Sequence, residues 1–310
     1  MKKFEAIYFD LTGTCNAQCP YCMTGPGKLR VKNFIEVDTF KKAILKLKDS
    51  GIIFPDTVVS LYNWGEPFIH PKIESIIEVM NELDVFYALS TNASLYHDLN
   101  PSLVKKLKHI IFSISGFSQA SYDKIHGFKF EKIKENIRKF VYTARASGYK
   151  EQITIFFHVY QFNLLEIEKA KEFARELNVN LYPFHAIMNE WDKMEQFVED
   201  KLAYDDLLKM SQALFLFNFK DLINNAPKDY FCPQWNYLTI DEQCNVLVCC
   251  QTPKYDKSYQ LGNILTDSFD EILFKKQNND VCAKCLKSGL AYYINNSLPM
   301  LDITPEVRQK

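Results

Sequence analysis

Three cysteines within eight residues constrain this chain more than any other feature. Cys15, Cys19 and Cys22 follow directly on the apolar run Ile7-Tyr8-Phe9-Asp10-Leu11. Three thiolates can bind three irons of a [4Fe-4S] cluster, which leaves the fourth iron open to another ligand. A structural zinc site needs a fourth Cys or His close by, and the next such residue is His70. The spacing therefore favours an iron–sulfur loop over zinc and over three thiols that only pack in a core.

Length and charge exclude several classes of protein. The 310 residues allow one large or two ordinary domains, and the formal net charge of −1 predicts no polyanion-binding surface. Charged residues interrupt the N-terminal apolar stretch, so it is not a signal peptide, and no run approaches the roughly 20 apolar residues of a membrane span. We therefore expect a cytoplasmic protein without nucleic-acid or membrane partners. In that reducing compartment its nine cysteines favour metal ligation over disulfides.

Six short apolar runs alternate with helical patterns between residues 5 and 185. The expected strands are Ala6–Leu11, Thr57–Tyr62, Phe86–Thr91, Ile110–Ile114, Ile153–Tyr160 and Val179–Tyr182. The expected helices are 38–49 with Asp38 as N-cap, 71–83, 102–108, 131–147 and 164–177. This alternation predicts an α/β fold with a parallel sheet, either doubly wound or barrel-like.

The Cys-x3-Cys-x2-Cys pattern, with Tyr21 before the last cysteine, resembles the signature of the radical S-adenosylmethionine (SAM) superfamily. The resemblance implies that the open iron chelates SAM, and that electron transfer cleaves SAM to methionine and a 5′-deoxyadenosyl radical. It also implies a partial (β/α)6 TIM-like barrel, with Tyr21 near the adenine. In such barrels functional residues gather at the carboxyl ends of the strands.

Polar residues do follow the strands of this predicted barrel. Trp64-Gly65-Glu66-Pro67 resembles the family's Gly-Gly-Glu-Pro motif, which holds the SAM amino group, with Trp64 replacing the first Gly. The resemblance implies further cofactor contacts for Asn92, Ser113 and Ser115. After the fifth strand, His158 and Asn163 are candidates for contacts with SAM or substrate. The alternative for small polar residues at strand ends is ordinary turn chemistry, and His158 has core packing as its alternative.

A second set of cysteines occurs near the C-terminus. Cys232, Cys249, Cys282 and Cys285 can close a tetrahedral set for zinc or iron–sulfur. Strands at 238–240 and 246–248 and a helix near 268–274 are expected around them. The region resembles the short SPASM or "twitch" domain, which carries one auxiliary [4Fe-4S] cluster, and the family spacing selects Cys249 over Cys250 as ligand.

Two thiols then have no ligand role. Cys244 stands at a turn where relatives have Gly, and a positive φ suits Cys less well. Cys244 and Cys250 either pack in the core or donate a hydrogen atom to a substrate radical, as a thiol does in epimerases of this superfamily. Both are therefore candidate catalytic residues. Lys28, Arg30 and His185 are candidates for a base.

The expected organisation is a radical SAM barrel over 1–190, a helical connector over 191–230 with an apolar helical stretch at 205–219, and a SPASM/twitch domain over 231–310. We expect SAM and two [4Fe-4S] clusters as cofactors, and flavodoxin or ferredoxin as electron donor.

The expected function is hydrogen abstraction from a small polar substrate, a sugar or an aminocyclitol, by an oxidoreductase (dehydrogenase) or an epimerase. This choice depends on the short auxiliary domain and on the expectation that no peptide-recognition domain precedes the first strand. One alternative is epimerisation or cross-linking of a ribosomally made peptide. Another is a non-catalytic iron–sulfur or zinc protein.

Overall fold

The computed structural model describes residues 4–25 and 31–296. Its strands are β1 (Ala6–Phe9), β2 (Val58–Ser60), β3 (Phe86–Thr91), β4 (Leu107–Ile114), β5 (Gln152–Val159), β6 (Asn180–His185), β7 (Tyr237–Ile240), β8 (Asn245–Leu247) and β9 (Gln260–Asn263). Its helices are α1 (Val37–Asp49), α2 (Ile73–Glu82), α3 (Pro101–Val104), α4 (Gln119–Lys124), α5 (Phe130–Ala146), α6 (Ile167–Leu177), α7 (Trp191–Val198), α8 (Tyr204–Ser211), α9 (Leu216–Asn224), α10 (Phe269–Gln277), α11 (Asp280–Lys287) and α12 (Leu290–Asn296).

The strands form one sheet in the order β6-β5-β4-β3-β2-β1-β7-β8-β9. Strands β1 to β6 pair in parallel, each beside its neighbour in sequence. A doubly wound sheet reverses its strand order at a switch point, whereas this order runs one way, as in an open barrel. The expected α/β fold with a partial (β/α)6 barrel is confirmed.

The two faces of the barrel strands differ in what they contact. Phe112 of β4 is fully buried and packs on Phe140 of α5, with ring centroids 5.5 Å apart. Ile111 and Ser113, the alternate residues of β4, line a cavity on the opposite face. Because side chains alternate along a strand, one face of β4 builds the core under the helices and the other is free to build a site.

The C-terminal strands extend the same sheet. Strand β7 pairs in parallel with β1, with Tyr237 opposite Ala6 and Ile240 opposite Phe9. Strands β7, β8 and β9 then pair antiparallel, which confirms the expected small strand and helix unit after residue 231. The sheet is continuous across this junction, and the exact division into three domains stays a prediction.

Two expected helix boundaries are wrong. Asp38 is in the first turn of α1, and Glu36 is the N-cap; an acidic side chain there still suits the positive end of the helix dipole. The helix expected to reach Lys108 ends at Val104, because Leu107–Ile114 pairs with β3 and β5.

The apolar helical stretch expected over 205–219 forms two helices, α8 and α9. The break is held by Gln161. Its side chain donates to the carbonyl oxygens of Ser211 (2.8 Å) and Leu214 (2.6 Å), and its backbone N–H donates to that of Ala213 (2.9 Å). Because these carbonyl oxygens accept hydrogen bonds from Gln161 and not from a following helical turn, α8 does not continue into α9.

The connector helices α7 to α9 pack on the C-terminal helices. Met194 and Met210 are buried, as expected. Phe219 of α9 stacks on Phe197 of α7 (4.6 Å between centroids) and on Tyr293 of α12 (3.8 Å). Among the described residues there is no helix with the length and apolar character needed to cross a membrane.

Candidate active site

A cavity of about 300 Å³ lies where the barrel strands end. Its lining includes most of the residues that the sequence predicted for the SAM site. These are Cys15, Cys19, Tyr21, Cys22, Trp64, Gly65, Glu66, Asn92 and Ser113. These residues belong to the cysteine loop, the loop after β2, the end of β3 and β4, which therefore converge at the carboxyl edge of the sheet.

The cysteine loop is built to bring sulfur atoms together. The Cys15 sulfur accepts from the backbone N–H of Ala17 (3.4 Å) and from Asn92 Nδ2 (3.7 Å). Burial, with a contribution from Glu66, raises the pKa of the Cys15 thiol to about 12. A side chain at Gly25 would collide with the Cys19 carbonyl, so glycine lets the loop close. Three thiols in one cavity, with N–H donors aimed at sulfur, fit the ligand set of an iron–sulfur cluster.

Asp10 holds the loop that carries Trp64 and Gly65. It follows β1, and its Oδ1 accepts from the backbone N–H groups of Asn63 (2.9 Å), Trp64 (3.1 Å) and Gly65 (3.0 Å). A Cβ at Gly65 would collide with the backbone of Thr12, so this loop lies directly against the cysteine loop. Sequence reasoning assigned Asp10 no site role, and the pairing of β1 with β2 is what brings it here.

Glu66 is fixed by three donors from the neighbouring strand and turn. Its Oε1 accepts from Thr91 Oγ1 (2.7 Å) and the Phe68 N–H (3.2 Å), and its Oε2 accepts from the Asn92 N–H (2.8 Å). The side chain is 4% exposed, and burial raises its pKa to about 7. A buried carboxylate held at the edge of a cavity is a suitable acceptor for an ammonium group.

Histidines complete the inner wall of this cavity. His158 lies 3.4 Å from Ser113 Oγ through its Nε2, and burial lowers its pKa to about 4. His126, which sequence reasoning missed, lines the same cavity, and burial lowers its pKa to about 3. Both rings are therefore neutral near pH 7. His126 follows a short helix and no strand, so no strand-end pattern pointed to it.

Two predicted residues do not line the cavity. Asn163 is fully buried and donates through Nδ2 to the carbonyls of Ser115 (2.8 Å) and His158 (3.0 Å), while its Oδ1 accepts from the Tyr160 N–H (2.8 Å). It fastens the turn after β5 onto the end of β4. Ser115 lies behind this contact and is fully buried. The expectation that both contact the cofactor therefore receives no support from the geometry.

One of the three base candidates has a described position, and it is apart from the cavity. His185 does not line it, and its ring stacks on Phe215 with centroids 4.1 Å apart. Lys28 and Arg30 lie outside the described residues.

The second cysteine set lines a separate apolar cavity. Cys232, Cys249, Cys282 and Cys285 all face it, the last two from one side of α11 because they are three residues apart. The Cys249 sulfur accepts from the Gln251 N–H (3.4 Å) and the Cys232 sulfur from Asn295 Nδ2 (3.5 Å).

Burial raises the pKa of Cys249 to about 11. Such thiols ionise when a metal replaces the proton, and N–H donors to sulfur are a feature of iron–sulfur sites. In the described part of the chain, no three His, Cys, Asp or Glu side chains are grouped to hold one metal ion. A four-iron cluster instead places its thiolates on separate irons.

The two remaining thiols line neither cysteine cavity. Cys250 donates to Gln234 Oε1 (3.3 Å), and its carbonyl accepts from Asn63 Nδ2 (3.4 Å). Cys244 is fully buried in the hydrophobic core at a φ of 66°, in the hairpin turn where Gly was expected. Neither residue lines the cavity at the strand ends, and the hydrogen-donor role of these two thiols stays a prediction.

A larger cavity of about 620 Å³, the outer cavity, adjoins the cavity at the strand ends, which is the inner cavity. The two share Thr24 and Trp64. The outer wall includes Trp191 of α7 and the segment 253–257 of the C-terminal region. Thr24 and Trp64 therefore lie at the boundary between the two cavities.

Comparisons with known proteins cover most of the chain. The Radical SAM superfamily model matches residues 10–174, and the SPASM model, an iron-sulfur cluster-binding domain, matches residues 232–287.

Two curated proteins show sequence similarity. The antilisterial bacteriocin subtilosin biosynthesis protein AlbA of Bacillus subtilis (strain 168) is 23% identical over 279 residues, which cover 85% of this chain and 58% of AlbA. The PqqA peptide cyclase of Bradyrhizobium diazoefficiens is 22% identical over 126 residues, which cover 40% of this chain and 32% of the cyclase. The chain thus spans well under two thirds of either relative.

Solved structures share the fold. Streptococcus suis SuiB bound to precursor peptide SuiA superposes with a TM-score of 0.61 at 14% identity, over 94% of this chain and 71% of that chain. SuiB bound to S-adenosylmethionine gives a TM-score of 0.58 at 15% identity, over 94% and 70%. At this identity the likeness shows the fold alone.

Proposed function

The chain belongs to the radical SAM superfamily, whose family model covers more than half of it, and from this premise we propose that it modifies a ribosomally made peptide. It is a radical SAM enzyme, and its cofactors are SAM and two [4Fe-4S] clusters, one that binds SAM and one auxiliary. When bound, SAM and its cluster supply a radical that abstracts hydrogen from the substrate. The protein's own part is to bind, orient and shield the reacting groups.

The proposed roles of the site residues follow from their placement. Cys15, Cys19 and Cys22 hold the SAM-binding cluster, and Cys232, Cys249, Cys282 and Cys285 hold the auxiliary one. Glu66 accepts from the SAM ammonium. Tyr21, Trp64, Gly65, Asn92 and Ser113 form the remaining walls of the SAM site, because all of them line the same cavity.

The substrate class is carried by one observation, the similarity to AlbA over 85% of this chain. AlbA takes part in bacteriocin biosynthesis, the PqqA cyclase is named for a peptide, and SuiB was solved with its precursor peptide. These relatives support the peptide alternative better than the sugar or aminocyclitol that we expected from the sequence.

The outer cavity suits a peptide segment. Its volume of about 620 Å³ exceeds that of the inner cavity, and its lining mixes aromatic rings (Trp64, Trp191, Tyr255) with charged groups (Asp192, Lys257). Such a mixture can contact backbone and side chains at once. We propose that the peptide occupies this cavity and presents one residue past Trp64.

The test is substrate-dependent SAM cleavage. The protein is reconstituted anaerobically to about eight irons, the content of two four-iron clusters. Formation of 5′-deoxyadenosine is then measured with short peptides encoded beside its gene, and in parallel with sugar nucleotides and aminocyclitols. We expect stimulation by a peptide alone, and product mass separates cross-linking, with loss of two hydrogens, from epimerisation. Stimulation by a carbohydrate alone would overturn the substrate class.

A pair of charge reversals tests the cavity. Lys257→Glu changes the rim of the outer cavity, whereas Lys228→Glu changes an exposed lysine that does not line it. We expect Lys257→Glu to change the peptide KM by about 2- to 5-fold, the size of one surface ion pair, and Lys228→Glu to leave it unchanged. Equal effects of both would place the peptide elsewhere.

A further inference from the structure

Lys254 is a buried charge that the SAM site and the auxiliary site leave unexplained. It is 4% exposed. Its ammonium contacts Asp10 Oδ2 (3.0 Å), Glu242 Oε2 (3.0 Å) and the Thr12 carbonyl (3.1 Å). Burial lowers the pKa of Lys254, and the two carboxylates outweigh that effect and raise it. The Lys254 ammonium therefore stays charged, and three acceptors fix its position.

The three partners of Lys254 come from two distant parts of the chain. Lys254 lies within the region matched by the SPASM model, 244 residues from Asp10 in sequence. Asp10 and Thr12 belong to the start of the cysteine loop. Glu242 lies in the turn between β7 and β8. A residue of the auxiliary region is thus bonded directly to the entry of the SAM-cluster loop.

The neighbouring tyrosine makes the same connection. The Tyr255 hydroxyl, which has one hydrogen to donate, lies within hydrogen-bond distance of two acceptors, the Gly13 carbonyl (3.1 Å) and Glu242 Oε1 (3.0 Å). A Cβ at Gly13 would collide with the Tyr255 hydroxyl. The glycine allows the tyrosine to close on the cysteine loop, so two consecutive residues of the auxiliary region contact it.

Asp10 carries this contact into the SAM site. While Oδ2 accepts from Lys254, Oδ1 accepts from the N–H groups of Asn63, Trp64 and Gly65. Those residues lead directly into Glu66, whose carboxylate lines the inner cavity. Without the ammonium, Asp10 and Glu242 would be two buried carboxylates with no cation between them, which favours a rearrangement or uptake of a proton.

We propose that Lys254 is a positioning residue for SAM binding: it fixes the Asp10 carboxylate, which holds the loop that presents Trp64 and Glu66 to the cofactor. The SAM site is then complete only when the auxiliary region is docked. This inference uses the SAM-contact roles proposed above for Trp64 and Glu66, and it does not depend on the substrate class.

The experiment measures SAM affinity without any peptide. Lys254→Met keeps an unbranched, flexible side chain and removes the ammonium group. Lys46→Met is the matched control, because Lys46 donates to the carbonyls of Leu265 (3.2 Å) and Asp267 (3.3 Å) and so bridges α1 to the same C-terminal region without touching Asp10. Each reconstituted protein is assayed for iron content and for the SAM Kd by equilibrium dialysis.

We expect Lys254→Met to weaken SAM binding by about 10- to 100-fold, as is typical when an outer support of a metal-site ligand is removed. Lys46→Met should bind SAM like the parent, and both should hold about eight irons. The change that SAM causes in the EPR spectrum of the reduced cluster should appear only at correspondingly higher SAM concentrations in Lys254→Met.

A second variant separates a loss of SAM affinity from a failure to fold. Lys254→Met combined with Glu242→Gln leaves one buried carboxylate in place of two, and that one keeps its amide donors. We expect the double variant to fold and still to bind SAM weakly, because Asp10 has lost its cation. Parent-like SAM affinity in a variant that holds both clusters would overturn the proposal. Failure of the peptide assay with weakened SAM binding in Lys254→Met would count against the substrate class and not against this role.

Discussion

Replacing two adjacent cysteines one at a time should give opposite results for iron content. Cys249 lines the apolar cavity of the second cysteine set together with Cys232, Cys282 and Cys285, whereas Cys250 does not line it. We expect Cys249→Ala to hold about four irons after reconstitution, the content of one cluster, and Cys250→Ala to hold about eight. The two substitutions remove the same atom from consecutive residues, so each is the control for the other.

The structure sets the size of the side effects. Cys250→Ala removes one hydrogen bond, from the thiol to Gln234 Oε1 at 3.3 Å, worth about 1 kcal/mol. Loss of the buried sulfur adds a similar amount. A total of about 2 kcal/mol is small beside the roughly 5–15 kcal/mol of a typical fold, so Cys250→Ala should fold and load both clusters.

The assay is iron and acid-labile sulfide per chain, with thermal unfolding followed by circular dichroism on the same samples. Cys244→Ala is a third reference, because its side chain is in the core and lines neither cysteine cavity; it should also hold about eight irons. About four irons in Cys250→Ala together with about eight in Cys249→Ala would refute the ligand assignment and the geometric reasoning behind it.

Three further predictions test the SAM site. Asn163→Ala should destabilise the fold by about 2–4 kcal/mol, because three buried hydrogen bonds lose a partner. The SAM Kd of the folded protein should stay unchanged. A change in the SAM Kd without loss of thermal stability would instead support a contact between Asn163 and the cofactor. Gly65→Ala should weaken SAM binding by more than about tenfold, because the new methyl group collides with Thr12. Gly148→Ala is the control: its Cβ meets no atom within 4 Å, so the substitution should lower only the stability, through the φ of 83° at this position. Equal SAM affinities of the two variants would contradict this prediction. Burial raises the pKa of Glu66 to about 7, so its carboxylate becomes protonated as the pH falls through that value, and SAM affinity should fall by about tenfold per pH unit below it. Glu66→Gln should bind SAM weakly at every pH. A SAM affinity that does not change with pH in the parent would exclude an ionised Glu66 as the ammonium acceptor.

The spacing of residues along the sequence was enough to predict those parts of the site whose residues are close in sequence. The cysteines at 15, 19 and 22 share one short loop, so their convergence needs only a bend in the backbone. Trp64-Gly65-Glu66 likewise forms one turn after a strand, and the alternation of strands with helices predicted a sheet whose strand ends meet at one edge.

The same reasoning did not separate residues whose side-chain direction depends on packing. Ser113 is within β4 and its side chain faces the inner cavity, but the strand ends at Ile114, and the alternation that would place Ser115 beside it stops there. Asn163 has a side chain that fits a ligand equally well, yet its amide is used up by neighbouring backbone groups.

Contacts across long sequence separations were decided by the tertiary structure alone. Nothing local to Asp10 or Lys254 marks them as partners, because an acidic residue at a strand end and a lysine in a loop are ordinary at a protein surface. They become a buried pair only because β7 pairs with β1 and brings the auxiliary region against the cysteine loop. The sequence thus determined which chemistry the chain carries, and the packing of distant segments decided which side chains support it.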